Sequence, residues 1–275
     1  MTWRAGHVVR DRYRSIGRGA GTFAAVLLLT VIPASAQGVA GQASAIPRMP
    51  DGHPNLQGIW QALTTANWDI QDHSASFGIP AGQGIVEGNE IPYRPEALAR
   101  RKDNYANRLT ADPESKCWMV GVPRIMYMPY PFQIVQTPKE IVLISEYVHT
   151  VRNMRFDSPH PPGNPGELQW FMGDSRARWE GDTLVVDVVH FSPDTWLDRS
   201  GNYHSEALHV VERYTMTGAN HILYEATIED PKVFTRPWTI SLPLYRRVEK
   251  DVQLLEYECH AYLEAEKDRQ KGQSR

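Results

Sequence analysis

The densest group of chemically capable side chains lies in residues 192–206, SPDTWLDRSGNYHSE, which hold His204 with Asp194, Asp198 and Glu206. An imidazole beside carboxylates is the equipment of proton transfer: His204 reads as the acid or base and Asp198 as the group that orients it. The plainer account is a histidine that orders the loop through backbone hydrogen bonds. Glu212 follows on the next extended run, where Leu208, Val210, Glu212, Tyr214 and Met216 share one face. A carboxylate among apolar neighbours has a raised pKa unless an arginine meets it, and Arg176 or Arg178 of the preceding hairpin is the expected partner. That pair would lie under a ligand or only fix strand register. Trp196, held in a polar loop, is read as closing the mouth of the site. Asp174, Arg176, His149 and Arg124 complete the candidate ligand contacts, with carbonyl capping the plainer role for Arg124.

Other chemistries fit less well. The run HSEALH, from His204 to His209, departs from the helical HExxH zinc motif, and a metal would need a third ligand such as His149 or His190. No metal is expected. Ser175 and Ser205 stand outside any nucleophile-elbow sequence. Neither a phosphate-cradling glycine loop nor a dinucleotide fingerprint occurs, so the chemistry is expected to need no organic cofactor.

These residues need a scaffold, and the pattern from residue 132 onward supplies one. Runs rich in β-branched and aromatic residues occur at 132–137, 141–149, 151–156, 175–179, 183–191, 207–216, 221–228, 238–248 and 252–259. Short turns separate them, among them Glu180-Gly181-Asp182 and Thr217-Gly218-Ala219-Asn220. About nine strands joined mainly by hairpins predict an all-β antiparallel meander closing into a barrel. Residues 56–63 read as a further short strand, 67–93 as an irregular covering segment, and 94–109 as a helix opened by Pro95. Its apolar face would comprise Ala97, Leu98, Ala99, Tyr105 and Leu109. Runs apolar on both faces, such as Leu184-Val185-Val186, imply that this N-terminal region covers the outside of the barrel.

With 41% hydrophobic and 22% charged residues and a net charge of −3, the chain is an ordinary globular one with no nucleic-acid signature. Arg10, Arg12, Arg14 and Arg18 precede an apolar run at 22–33 that ends in Ala34-Ser35-Ala36. That is the pattern of a secretory signal peptide, so residues 1–36 are expected to be cleaved and no membrane span to remain. The expected layout is then an irregular start at 37–55, one barrel domain at 56–265 and a polar tail at 266–275, in a periplasmic or secreted protein. Two cysteines in an exported chain, Cys117 and Cys259, are expected to form one disulfide.

The phrases WEGDTLVVDVVHF, TWLDRSGNYHSEALHVVERY and DPKVFTRPWT resemble an uncharacterised family of exported bacterial proteins. The resemblance runs from PDGHPNLQGIW to LLEYEC and implies a shared fold without a reaction. The strand layout is also similar to lipocalin or calycin barrels, as an analogy of architecture. The expected function is therefore acid/base processing of a small aromatic, terpenoid or carbohydrate-like molecule by a lyase, isomerase or hydrolase. A non-catalytic carrier of the lipocalin type and an envelope-assembly protein are the alternatives. A carrier calls for an almost wholly apolar cavity, whereas an enzyme calls for at least two titratable groups converging in one. The sequence fixes no oligomeric state.

Overall fold

The structure, a computed structural model, describes residues 45–273, so the predicted signal peptide lies outside the described residues. Nine strands close into a barrel in strict sequence order: β1 (Gly58–Ala62), β2 (Phe132–Gln136), β3 (Glu140–Ser145), β4 (Val151–Phe156), β5 (Asp174–Glu180), β6 (Thr183–Val189), β7 (His209–Gly218), β8 (His221–Glu229) and β9 (Trp238–Arg246). β9 pairs back onto β1, with Trp60 opposite Arg246. The expected barrel is therefore present, but the run at 252–259 is not one of its strands. The barrel closes through β1 instead, and Leu255 is left 65% exposed.

Every pairing around the barrel is antiparallel except at one seam. β4 and β5 run parallel, paired only from Met154 and Ser175 to Phe156 and Ala177. A parallel pair cannot be joined by a tight turn, so residues 157–173 must cross back along the barrel before β5 begins. This connection contains no helix, and it returns over the outer face of β5 and β6, where His160 meets Asp174 and Asp187.

Alternation along each strand decides what faces inward. On β7 Val210, Glu212, Tyr214 and Met216 are buried, and on β8 Ile222, Tyr224, Ala226 and Ile228 join them. With Trp60, Phe132, Leu143, Met154, Val186 and Leu242 they fill the barrel as a packed core. The single ladder departure between Met216 and Gly218 is confined to the end of the β7–β8 hairpin.

Outside the barrel, the helix predicted over 94–109 is split into α1 (Pro95–Ala106) and α2 (Arg108–Ala111). Pro95 opens α1 as expected. The predicted apolar face is not buried as a unit: α1 buries Ala97 and Asn104, while Leu98 and Leu109 remain exposed. Asn104 points inward because its amide donates to the Gly201 carbonyl at 3.1 Å, docking the helix on the 192–206 loop. Gly201 is obligatory there, since its φ is +83° and a Cβ would lie 2.7 Å from that of Asn104.

The tail begins with α3 (Cys259–Gln273), and Cys259 is bonded to Cys117 as predicted. Closing a loop of 142 residues stabilises the fold by about 4–5 kcal/mol in the chain-entropy model. The disulfide fits an oxidising compartment. Among the described residues no helix is long and apolar enough to cross a membrane.

Candidate functional site

The outward faces of four adjacent strands carry Asp174 on β5, Asp187 on β6, His209 on β7 and Glu229 on β8. Register brings them together: Arg176 stands opposite Asp187, and His209 opposite Glu229. Each alternates with an inward neighbour, Ser175, Val186 or Val210, so the same pleat that builds the core exports these groups to the outer face. The crossover then adds His160, whose Nδ1 lies 2.7 Å from Asp174 Oδ1 and whose Nε2 lies 2.8 Å from Asp187 Oδ1. The ring thus bridges the two carboxylates. Asp174 is further held by Arg176, whose Nε and Nη2 donate to its two oxygens at 2.6 and 2.8 Å. Arg176 Nη1 donates to Ser158 Oγ at 2.6 Å, pinning the start of the crossover.

His209 Nε2 donates to Asp187 Oδ2 at 3.0 Å, and its Nδ1 lies 3.6 Å from Glu229 Oε2. The hydrogen bond to Asp187 raises the His209 pKa above its ordinary 6.5 in spite of partial burial. The same bond, against the opposing effect of burial and with help from His160, holds the Asp187 carboxyl below its ordinary 3.8. His209 is thus an imidazole whose charged form is favoured by an attached, orienting carboxylate.

A cavity of about 340 Å³ opens beside this network, lined by His160, His190, Glu206 and His209 together with Pro161 and Leu208. His190 has φ +63°, a left-handed conformation that costs a non-glycine residue roughly 1 kcal/mol or more. Its surroundings hold it there. Its Nε2–H donates to the Pro161 carbonyl at 3.0 Å, its own carbonyl accepts from Trp170 N at 2.9 Å, and its ring meets Trp170 edge-on at 6.0 Å.

Most of the residues singled out from sequence lie elsewhere; Asp174 and Arg176 of the network and Glu206 of the cavity are the exceptions. His204 is 1% exposed, so it does not open onto a ligand at the barrel's end. Its Nδ1 lies 2.9 Å from the Ser205 carbonyl, which only accepts, so the proton sits on Nδ1 and Nε2 accepts from Thr195 Oγ1 at 2.7 Å. Burial pushes its pKa down. Asp198 does not orient it: the Asp198 carboxyl accepts from Ile70 N and from the backbone and side-chain amides of Asn202. Burial first and nearby Asp69 second push Asp198 up to about 7. Trp196 is 6% exposed within the core and closes no mouth. Much of the loop's polar content turns inward, where Asp198, Asn202, His204 and Ser205 bond to one another or to Ile70, Thr195 and Asp230.

Glu212 is buried in the barrel as expected, but its partner is Arg152, not Arg176. Arg152 Nη1 donates to Oε1 at 3.0 Å, Nη2 pairs with Oε2, and Nε donates to Ser175 Oγ at 2.9 Å. Tyr214 and Tyr224 each donate to Glu212 Oε1 at 2.9 Å. Both carboxylate oxygens are engaged by buried partners and Glu212 is 0% exposed, so no ligand in an open cavity reaches it. Arg124 is also buried, bidentate on Asp112 and paired with Glu114 and Asn67. Burial opposes its charge, but the two carboxylates outweigh that and keep it protonated. Four of its five N–H donors are engaged and the side chain is 1% exposed, which takes it out of reach of a ligand at the surface. His149 is exposed and pairs with Glu258 at 2.7 Å, far in sequence from the other candidates. Among the described residues no group of three or more His, Cys, Asp or Glu side chains is arranged to hold a metal ion.

Sequence reasoning therefore brought Asp174 and Arg176 to the site and missed Asp187, His160 and the role of His209. Asp187 was visible as the one charge in the apolar run of β6, on the outward register. His160 had no periodic signal, because the proline-rich crossover fixes its place only in three dimensions. No protein-family model, curated protein or solved structure matches the chain.

Proposed function

We propose that the protein is an exported enzyme that transfers protons on a small organic molecule bound in the cavity of His160, His190 and His209. The observation that carries this reading is the convergence of three imidazoles and the Glu206 carboxylate on one cavity, with His209 tied to Asp187. His209, kept protonated by Asp187, is the general acid, and Asp187 is its positioning residue. His190 directs Nε2–H at the Pro161 carbonyl, which leaves Nδ1 as the ring atom that can face the ligand as an acceptor. One donor and one acceptor in a single cavity suit elimination, isomerisation or hydrolysis without an organic cofactor. Pro161, Pro162, Val189 and Leu208 supply an apolar wall for the carbon skeleton. The disulfide between Cys117 and Cys259 supports a periplasmic or secreted setting.

The test is a thermal-shift screen of the oxidised protein against aromatic, terpenoid and sugar compounds, with His209→Gln in parallel. Each stabilising compound is then recovered from D2O and analysed by NMR for chemical change or deuterium uptake. Conversion by wild type that falls by a factor of about 100 or more in a folded His209→Gln variant supports the role. Equal conversion by both proteins removes it. The apolar wall also suits a carrier, and a compound bound by both proteins and recovered unchanged from both favours that second reading.

A further inference from the structure

A second cavity, of about 380 Å³, opens where β4 and β5 part above their short parallel pairing. Its chemistry differs from that of the histidine cavity. Trp170, Phe171 and Met119 form one wall, and Val151, Asn153 and Arg155 project into it from the outer face of β4. Trp170 is 44% exposed and Val151 57%, an unusual degree of openness for large apolar side chains that share one concavity. Phe171 continues the aromatic surface to Trp118, with ring centroids 5.6 Å apart.

The cations in the groove are not equivalent. Arg152 forms part of its floor, yet it is 3% exposed, with Nε on Ser175 and both terminal nitrogens bonded to Glu212, so its charge is already paired. Arg176, paired across the seam with Arg155, is committed to Asp174 and Ser158. Arg155 alone of the three makes no side-chain hydrogen bond or ion pair among the described residues, although Glu140 stands opposite it on β3. A planar guanidinium beside exposed aromatic rings, with the Asn153 amide on the same strand face, is complementary to a flat ring that carries a carboxylate.

We propose that this groove binds an aromatic carboxylate, with the ring against Trp170 and Phe171 and the carboxylate on Arg155. The site is independent of the proton-transfer reading, though the two cavities share a wall. Trp170 meets His190 edge-on at 6.0 Å, and Asp174, which lines the groove, holds His160 at 2.7 Å.

The test uses isothermal titration of the oxidised protein with 2-naphthoate and with 2-naphthalenemethanol, which has the same ring without the charge. Wild type is expected to bind the carboxylate about tenfold more tightly than the alcohol, the size of one charge-assisted bidentate contact at a half-open site. Arg155→Gln, a change at an exposed position, is expected to bring the two affinities within about twofold. Trp170→Ala is expected to weaken both by about tenfold, and Arg178→Gln, on the far part of β5, to alter neither. Equal affinity of wild type for the two compounds overturns the proposal, as does a preference that survives in Arg155→Gln or an absence of binding at millimolar concentration. His209→Gln separates the two claims, because it is expected to leave naphthoate binding unchanged whatever its effect on turnover.

Discussion

Two ionic networks lie back to back across the same sheet, and they are built from the same ingredients. Inside the barrel, Arg152 and Glu212 are joined by Ser175, Tyr214 and Tyr224; outside it, His160 and His209 are joined by Asp174 and Asp187. Successive residues feed opposite networks, Asp174 outward and Ser175 inward, as the pleat requires. The inner network is buried, with the Arg152 and Glu212 side chains 2% and 0% exposed, and both Glu212 oxygens are bonded. The outer one keeps His209 36% exposed and borders a cavity. A carboxylate paired with a cation is thus no sign of chemistry by itself. Exposure and an unfilled hydrogen-bonding position separate the reactive pair from the structural one.

Breaking the inner network should have the largest effect. Glu212→Leu leaves the Arg152 charge and two tyrosine hydroxyls without their acceptor in a dry core, and should cost about 3–5 kcal/mol in urea denaturation. Replacing both partners, as Arg152→Met with Glu212→Leu, should recover a large part of that loss, because no unpaired charge then remains. A single-variant loss below about 1 kcal/mol would show that water reaches the pair, and the contrast with the outer network would collapse.

His204 gives the next test, because it compares an enclosed imidazole with an open one. His204→Ala removes a buried ring and the acceptor of Thr195, and should cost about 2–4 kcal/mol. In the folded fraction, conversion of any compound that wild type processes should stay within about threefold of wild type. His209→Gln should show the reverse pattern, with stability within about 1 kcal/mol and conversion lost. If His204→Ala abolished conversion in a folded protein that still bound its ligand, the proton-transfer site would move to the enclosed loop.

These outcomes bear on what the sequence could and could not convey. Strand periodicity and hairpin turns made the barrel legible, since Thr183–Val189 and His209–Gly218 announce themselves by alternation. Residues 252–259 had strand-like content but no strand to pair with, because β1 had already taken the free edge of β9. The inward face of β7 was correctly read, which placed Glu212 in the core. Its partner was not, because Arg152 comes from a strand reached across the barrel interior and local spacing carries no record of it. The 192–206 loop misled for a related reason: polar content marks a solvent-facing loop only where nothing covers it. Here α1 docks on it through Asn104 and Gly201, and Asp198, Ser200, Asn202 and His204 are buried.

The smallest effect should appear in pH dependence, where the outer pair and the enclosed loop have opposite signs. The His209 pKa is raised, so its stabilisation is complete below the ordinary 6.5 and is lost as pH rises through the folded value above it. The Asp187 pKa is lowered, so its share is complete above 3.8 and is lost as pH falls through the folded value below that. Between 3.8 and 6.5 both shares are intact. The stability difference between wild type and His209→Gln should therefore be greatest in that interval and shrink on either side. With both groups about one-third exposed, solvent screening limits it to about 1 kcal/mol or less. His204 runs the other way: its lowered pKa gives stability present above 6.5 and lost as pH falls, so His204→Ala should flatten the acid limb and leave the alkaline limb to His209. Denaturation midpoints of wild type, His209→Gln and His204→Ala from pH 4 to 9 resolve the two limbs. A His209→Gln difference that grows steadily toward alkaline pH would mean that Asp187 does not hold His209 protonated, and the general acid of the proposed site would be lost with it.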